Sequence, residues 1–186
     1  MSEQQGCRKH THEHRAEGSL EAGSAVELID DIIMDATKGN LEHKHNRFFL
    51  DGEPKCLLII ELMGNDADEL KERAHAIQKD LLEQQAYACP VFNDPDKMQR
   101  VWNLRKAGLG LLMGLPSDAK TPTFCEDTAV RVQDLPDYID EFTALMDKYN
   151  TSCVYYAHAS VGELHLRPVI NLKEQKGLDT MKAMAE

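Results

Sequence analysis

The segment Tyr155-Tyr156-Ala157-His158-Ala159-Ser160-Val161-Gly162-Glu163-Leu164-His165-Leu166-Arg167-Pro168 constrains the fold more than any other. Residues 152–157 are rich in strand formers, and residues 163–167 alternate polar side chains with leucine. Val161-Gly162 between them reads as a two-residue turn, so the segment is a tight hairpin and the chain must contain antiparallel sheet. In that register His158 and His165 are direct cross-strand partners, with Cβ atoms about 5 Å apart on one face. Two imidazoles so placed can grip one divalent metal. Packing or surface roles remain open to them, since the chain has 8 histidines. Zinc normally takes four ligands, and a catalytic site takes three of them from protein, so a further ligand has to come from elsewhere.

The net charge of −11 argues against nucleic acid or an anionic membrane as partner, because both need a basic patch. A hydrophobic content of 42% and a length of 186 residues fit one globular domain with a real core. No apolar run approaches the roughly 18 residues of a membrane span, and the N-terminus lacks the apolar stretch of a secretory signal. Cys7, Cys56, Cys89, Cys125 and Cys153 form no Cys-x-x-Cys pair, which excludes a recognisable zinc-finger or iron–sulfur pattern. They read as free core thiols of a reducing, cytoplasmic compartment.

Residues 1–23 carry almost no large apolar side chain and hold His10, His12 and His14, so a flexible tail is expected there. Ser24 with Glu27 reads as a capping box opening a helix over residues 24–37. The apolar run over residues 56–63 is short enough for a buried strand. Asn65 or Asp66 then caps a helix over residues 67–85, and a short strand follows near residues 88–92. Asp94-Pro95 opens a helix bearing Met98, Val101, Trp102 and Arg105. Residues 108–116, apolar and glycine-rich, read as a closely packed or ligand-lining loop. A strand over residues 123–132 and a helix over residues 134–149 lead into the hairpin. Mixed strands with intervening helices point to an α+β sandwich, ferredoxin-like, with an antiparallel sheet and helices against one face.

Several motifs occur in a known order: Ser24-Ala25-Val26-Glu27-Leu28-Ile29-Asp30, Trp102-Asn103-Leu104-Arg105, Glu126-Asp127-Thr128-Ala129-Val130, then His158 through His165 and Leu166-Arg167-Pro168. Over residues 24–173 the chain resembles the C-terminal domain of FAD-linked oxidases, the D-lactate, glycolate and D-2-hydroxyglutarate dehydrogenase group. The resemblance implies a substrate-binding cap over residues 24–186 that closes on FAD held by a separate domain. It implies that His158 and His165 hold a divalent metal such as zinc or manganese, which binds the hydroxyl and carboxylate of a 2-hydroxy acid. It places Arg105 on a substrate carboxylate and Lys120 at a substrate-binding lysine, and it assigns the chain no catalytic residue.

The chain departs from the family's Gly-His-x-Gly-Asp-Gly-Asn-Leu-His hairpin, and Glu163 stands where the family has asparagine. The family's third metal ligand, a glutamate in a downstream Glu-His-Gly segment, has no counterpart before Glu186. The chain is therefore expected to be one piece of a flavoenzyme, inactive by itself, with the FAD-binding domain and the hydroxy acid as partners. An alternative is a non-catalytic α+β binding or dimerisation module that joins copies through an unpaired sheet edge. A metal carrier built on the N-terminal histidines is a third reading.

Overall fold

The structure, a computed structural model, describes residues 25–114 and 116–186. The tail over residues 1–23, with its three histidines, lies outside the described residues. Elements follow in the order β1 (Ala25–Asp30), α1 (Asp31–Ala36), β2 (Cys56–Glu61), α2 (Ala67–Glu83), α3 (Pro95–Met113), β3 (Cys125–Ala129), α4 (Leu135–Tyr149), β4 (Cys153–His158), β5 (Glu163–Pro168) and α5 (Gln175–Ala185). The strands form one sheet in the order β2-β1-β4-β5-β3, and every neighbouring pair is antiparallel. This is the α+β antiparallel arrangement that the sequence suggests. No helix among the described residues is long and apolar enough to cross a membrane.

Side-chain alternation divides the core into two clusters. Ala157, Leu164 and Leu166 face α4 and α5 and pack with Phe142, Met146 and Met184. Ile29, Val154 and Tyr156 point the opposite way, against Ile33 and Met34 of α1 and Leu104 and Leu112 of α3. Burying each such aliphatic side chain contributes about 1.5–3 kcal/mol. Helices α1 and α3 thus add a second layer, and the sheet face beneath α3 turns polar toward the hairpin.

The N-terminal element differs from expectation: residues 25–30 are a strand, and only Asp31–Ala36 is helical. β1 lies inside the sheet, between β2 and β4. Apolar residues therefore occupy both of its faces, and over six residues that pattern matches a helical stripe. The helix cap is Asp30, whose Oδ1 accepts the N–H of Ile33 at 3.1 Å. Its Oδ2 accepts the N–H of Tyr155 at 2.7 Å, tying the cap to β4.

Burial raises the Asp30 carboxyl from 3.8 to about 7, against the lowering effect of the Tyr155 and Ile33 amides. Between those two values the folded chain holds a proton that the unfolded chain has released. Its contribution to stability therefore falls as pH rises from about 4 to 7, by about 4 kcal/mol at most. Urea unfolding across that range is expected to show the decline, and Asp30→Asn is expected to flatten it.

Three further segments depart from the sequence reading. Residues 88–92 join no strand ladder, and instead the carbonyl of Cys89 accepts the Gln78 side-chain amide at 2.5 Å. The glycine-rich residues 108–113 continue α3 rather than forming a loop. Gly108 is there for closeness, since a Cβ would come within 2.9 Å of Ile33 Cγ2 where α3 crosses α1.

The hairpin turn spans Ala159–Val161 as a 3₁₀ turn closed by Gly162 at φ 73°, not a two-residue Val161-Gly162 turn. His158 accordingly pairs with Glu163, and His165 with Tyr156. A Cβ on Gly162 would sit 2.0 Å from the carbonyl oxygen of Val130. Gly162→Ala is expected to cost more than about 2 kcal/mol in urea unfolding, from left-handed strain plus that clash. Of the cysteines expected in the core, Cys153 is buried, and Cys56, Cys89 and Cys125 are half-buried and form no disulfide among the described residues.

Candidate functional site

Beneath α3 the sheet presents a row of polar residues in register. Glu27 of β1 lies opposite His158 of β4, and His158 lies opposite Glu163 of β5. His165 sits diagonally from His158 on the same face. The ring centroids are 5.1 Å apart and the planes 78° from parallel. One donor atom from each of His158, Glu163 and His165 lies within 4.8 Å of the others.

A carboxylate backs each imidazole. His158 Nδ1 is 2.8 Å from Glu27 Oε1. His165 Nδ1 is 2.7 Å from Glu126 Oε1 and 3.1 Å from Asp127 Oδ1, with neither oxygen in line with the ring N–H. An ionised carboxylate only accepts hydrogen bonds, so in a neutral ring the His158 proton sits on Nδ1 toward Glu27, which would leave Nε2 to ligate. The carboxylates beside His165 Nδ1 favour the same tautomer there. This is the arrangement in which an outer carboxylate orients a metal-binding histidine.

Both acidic residues reach His165 because β3 is irregular. Its register against β5 shifts between Cys125 and Thr128, and Asp127 adopts φ 54°. In a regular strand, Glu126 and Asp127 would point to opposite faces; the bulge turns both toward one imidazole. His165, Glu126 and Asp127 form a second set of donor atoms within 4.8 Å.

Arg105 on α3 reaches down to Glu27, with Nε at 3.1 Å and Nη2 at 2.9 Å from Oε2. Glu27 is only 7% exposed and so shares its carboxylate between a guanidinium and an imidazole in a largely dry setting. Arg167, 3% exposed, places Nη2 2.7 Å from Glu126 Oε2. Tyr156 lies between the two arginines, whose guanidinium carbons are 5.1 Å and 5.5 Å from its ring centroid. Its ring stacks on His165 at 4.5 Å, and its hydroxyl donates to Glu126 Oε1 at 3.2 Å. Burial pushes the Tyr156 hydroxyl above its ordinary value of 10.0, with Arg167 opposing and Glu126 adding to the shift, so it stays neutral.

Three of the four residues expected at a site are thus gathered. Arg105 and His158 share Glu27, and His165 touches His158. Lys120 is held through its backbone, which bridges Ile170 just beyond β5. Glu27 was expected to cap a helix and instead orients His158. Tyr156, Asp127 and Arg167 were not singled out as site residues. The signal for Glu27 is a charged residue between apolar neighbours in β1, which only a buried partner makes tolerable; Arg167 continues the polar alternation of β5 and carries no such signal.

In ionised form, Glu27, Glu126, Asp127 and Glu163 outnumber Arg105 and Arg167 by two charges around the imidazoles. A divalent cation would neutralise that excess. The donors present, imidazole nitrogen and carboxylate oxygen, suit zinc or manganese.

Comparison with known proteins then decides the family. The profile described as "FAD linked oxidases, C-terminal domain" matches residues 5–186. The chain belongs to this family. It is similar to the D-2-hydroxyglutarate dehydrogenase of Haemophilus influenzae, 28% identical over 172 residues, covering 87% of this chain and 17% of the relative. The D-2-hydroxyglutarate dehydrogenase of Pantoea ananatis is 29% identical over the same length with the same coverage. That of Escherichia coli is 28% identical over 172 residues, again 87% and 17%. This member of the FAD-linked oxidase C-terminal domain family therefore spans about a sixth of the length of the relatives it matches.

Proposed function

We propose that residues 24–186 form the substrate-binding cap of a flavin-dependent dehydrogenase that oxidises a D-2-hydroxy acid to a 2-oxo acid. FAD, held by a separate domain, would supply the hydride acceptor for the substrate's α-carbon. The observation that carries the reading is the His158–Glu163–His165 donor set, with its histidines backed by Glu27, Glu126 and Asp127.

In this reading His158 and His165 offer Nε2 to a divalent metal, and Glu163 supplies the charged third ligand. A metal held there would supply Lewis acidity to the substrate's hydroxyl. Glu27 holds His158 in the ligating tautomer through the contact at Nδ1, and Glu126 and Asp127 lie beside the Nδ1 of His165. Arg105 donates Nε–H to Glu27 and lies in ion-pair contact with it through Nη2, and its guanidinium is the group that would pair with the substrate carboxylate. Lys120 is the second cation assigned to the substrate. Arg167 is too buried to meet substrate, and it positions Glu126 and the Tyr156 ring instead.

Reconstitution tests the reading. The chain is co-expressed with the FAD-binding part of a related dehydrogenase lacking its own matching segment. D-2-hydroxyglutarate is then expected to reduce the flavin, and chelation or His165→Ala is expected to abolish that reduction. Restored reduction that survives both treatments would remove the assigned role.

A further inference from the structure

A cleft of about 560 Å³ opens beside α3, the size range of small-molecule sites. Asn103, Lys106, Ala107 and Gly110 recur at three- and four-residue spacing and form one wall. The segment that winds into the 3₁₀ turn Lys44–Arg47 forms the other. Arg105 leaves α3 on a different side to reach Glu27, so the cleft is separate from the polar row on the sheet. Space continues above Gly110, where an added Cβ would meet no atom within 4 Å.

Hydrogen bonds already made in the cleft fix what its walls offer. Asn46 Nδ2 can only donate, so its 3.5 Å contact makes His43 Nδ1 the acceptor and puts the neutral ring's proton on Nε2. Asn103 Oδ1 accepts the Gln99 side-chain amide at 2.9 Å, which leaves Asn103 Nδ2 as a donor. Lys106 has no ion-pair partner among the described residues. Three donors, one of them charged, thus line one cavity. Asn46 is 2% exposed, and its Oδ1 is buried with no donor among the described residues. Such an orphaned acceptor calls for a hydroxyl or amine from a ligand. The Glu42 carboxylate also borders the cleft, exposed and screened by solvent.

We propose that this cleft binds a small sugar phosphate. The three terminal phosphate oxygens meet Lys106, Asn103 Nδ2 and His43 Nε2–H, and a sugar hydroxyl donates to Asn46 Oδ1. A carboxylate, with two oxygens, would leave one donor unused. The volume exceeds what a phosphate alone fills and leaves room for the sugar.

Titration of the full chain with ribose 5-phosphate, inorganic phosphate and ribose, followed by amide chemical shifts, tests this. Ribose 5-phosphate is expected to move the amides of residues 42–46 and of α3, with a Kd below about 1 mM. Inorganic phosphate, which cannot reach Asn46 as well, is expected to bind about tenfold more weakly, and ribose not measurably. Lys106→Ala is expected to weaken ribose 5-phosphate binding at least about tenfold. Gly110→Phe sends its ring into open space from a helical position that favours Phe over Gly, and is expected to abolish binding with an unchanged circular dichroism spectrum. Chelation is expected to leave binding as it is, which keeps the result independent of the metal reading. No shift with ribose 5-phosphate at about 10 mM would overturn the proposal. So would binding that survives both substitutions, or ribose 5-phosphate binding no tighter than inorganic phosphate.

Discussion

His165→Ala is expected to lower zinc affinity by more than about 100-fold in isothermal titration. The ring belongs to both donor sets on this face, with His158 and Glu163 on one side and Glu126 and Asp127 on the other. Neither set retains three ligands without it. Zinc at a hundredfold excess over its Kd is expected to stabilise the parent by about 2.7 kcal/mol, and the variant by less than about 0.4 kcal/mol. In the metal-free protein the same substitution removes the stack on Tyr156, which costs about 1 kcal/mol. Comparing unfolding with and without zinc therefore separates the ligand's role from its packing. Equal zinc affinity in parent and variant would exclude His165 as a ligand.

The second large effect falls on stability. Glu27→Ala is expected to destabilise the fold by about 3 kcal/mol, because it strands the Arg105 guanidinium without its carboxylate in a mostly buried position. Replacing both partners, as Glu27→Met with Arg105→Met, is expected to recover most of that loss, since no buried charge is then left alone. The double variant should still bind metal more weakly than the parent, having lost the group that orients His158 Nδ1. Urea unfolding of the two single variants and the double variant reads the coupling directly. Additive losses would mean that the Glu27–Arg105 contact contributes little.

The parts of this fold with one-sided periodicity are legible in the sequence. α4 shows its apolar stripe at Leu135, Ile139, Phe142 and Leu145, all of which pack on one cluster. The caps of α2 and α3 are equally plain, because Asp66 and Asp94 accept amide hydrogens from the first turns that follow them. β1 is harder to read, since a central strand covered on both faces loses the alternation that marks a strand.

The hairpin turn is longer than its sequence suggests by two residues, an even number. His158 and His165 therefore remain on one face although they are diagonal rather than opposite. An odd difference would have separated them. The β3 bulge is poorly marked in the sequence, because Asp tolerates a left-handed backbone but does not require one. Only the folded register brings Asp127 to His165. Glu163 shows the opposite case: its departure from the family's hairpin was visible, but only the β4–β5 register reveals that it faces His158.

Anomalous diffraction from crystals of the chain grown with zinc tests the site most directly, because it distinguishes the two donor sets that share His165. The expected result is a single zinc peak bounded by Nε2 of His158, Nε2 of His165 and the Glu163 carboxylate. A peak on the Nδ1 side of His165, between Glu126 and Asp127, or the absence of any peak on this face, would contradict it.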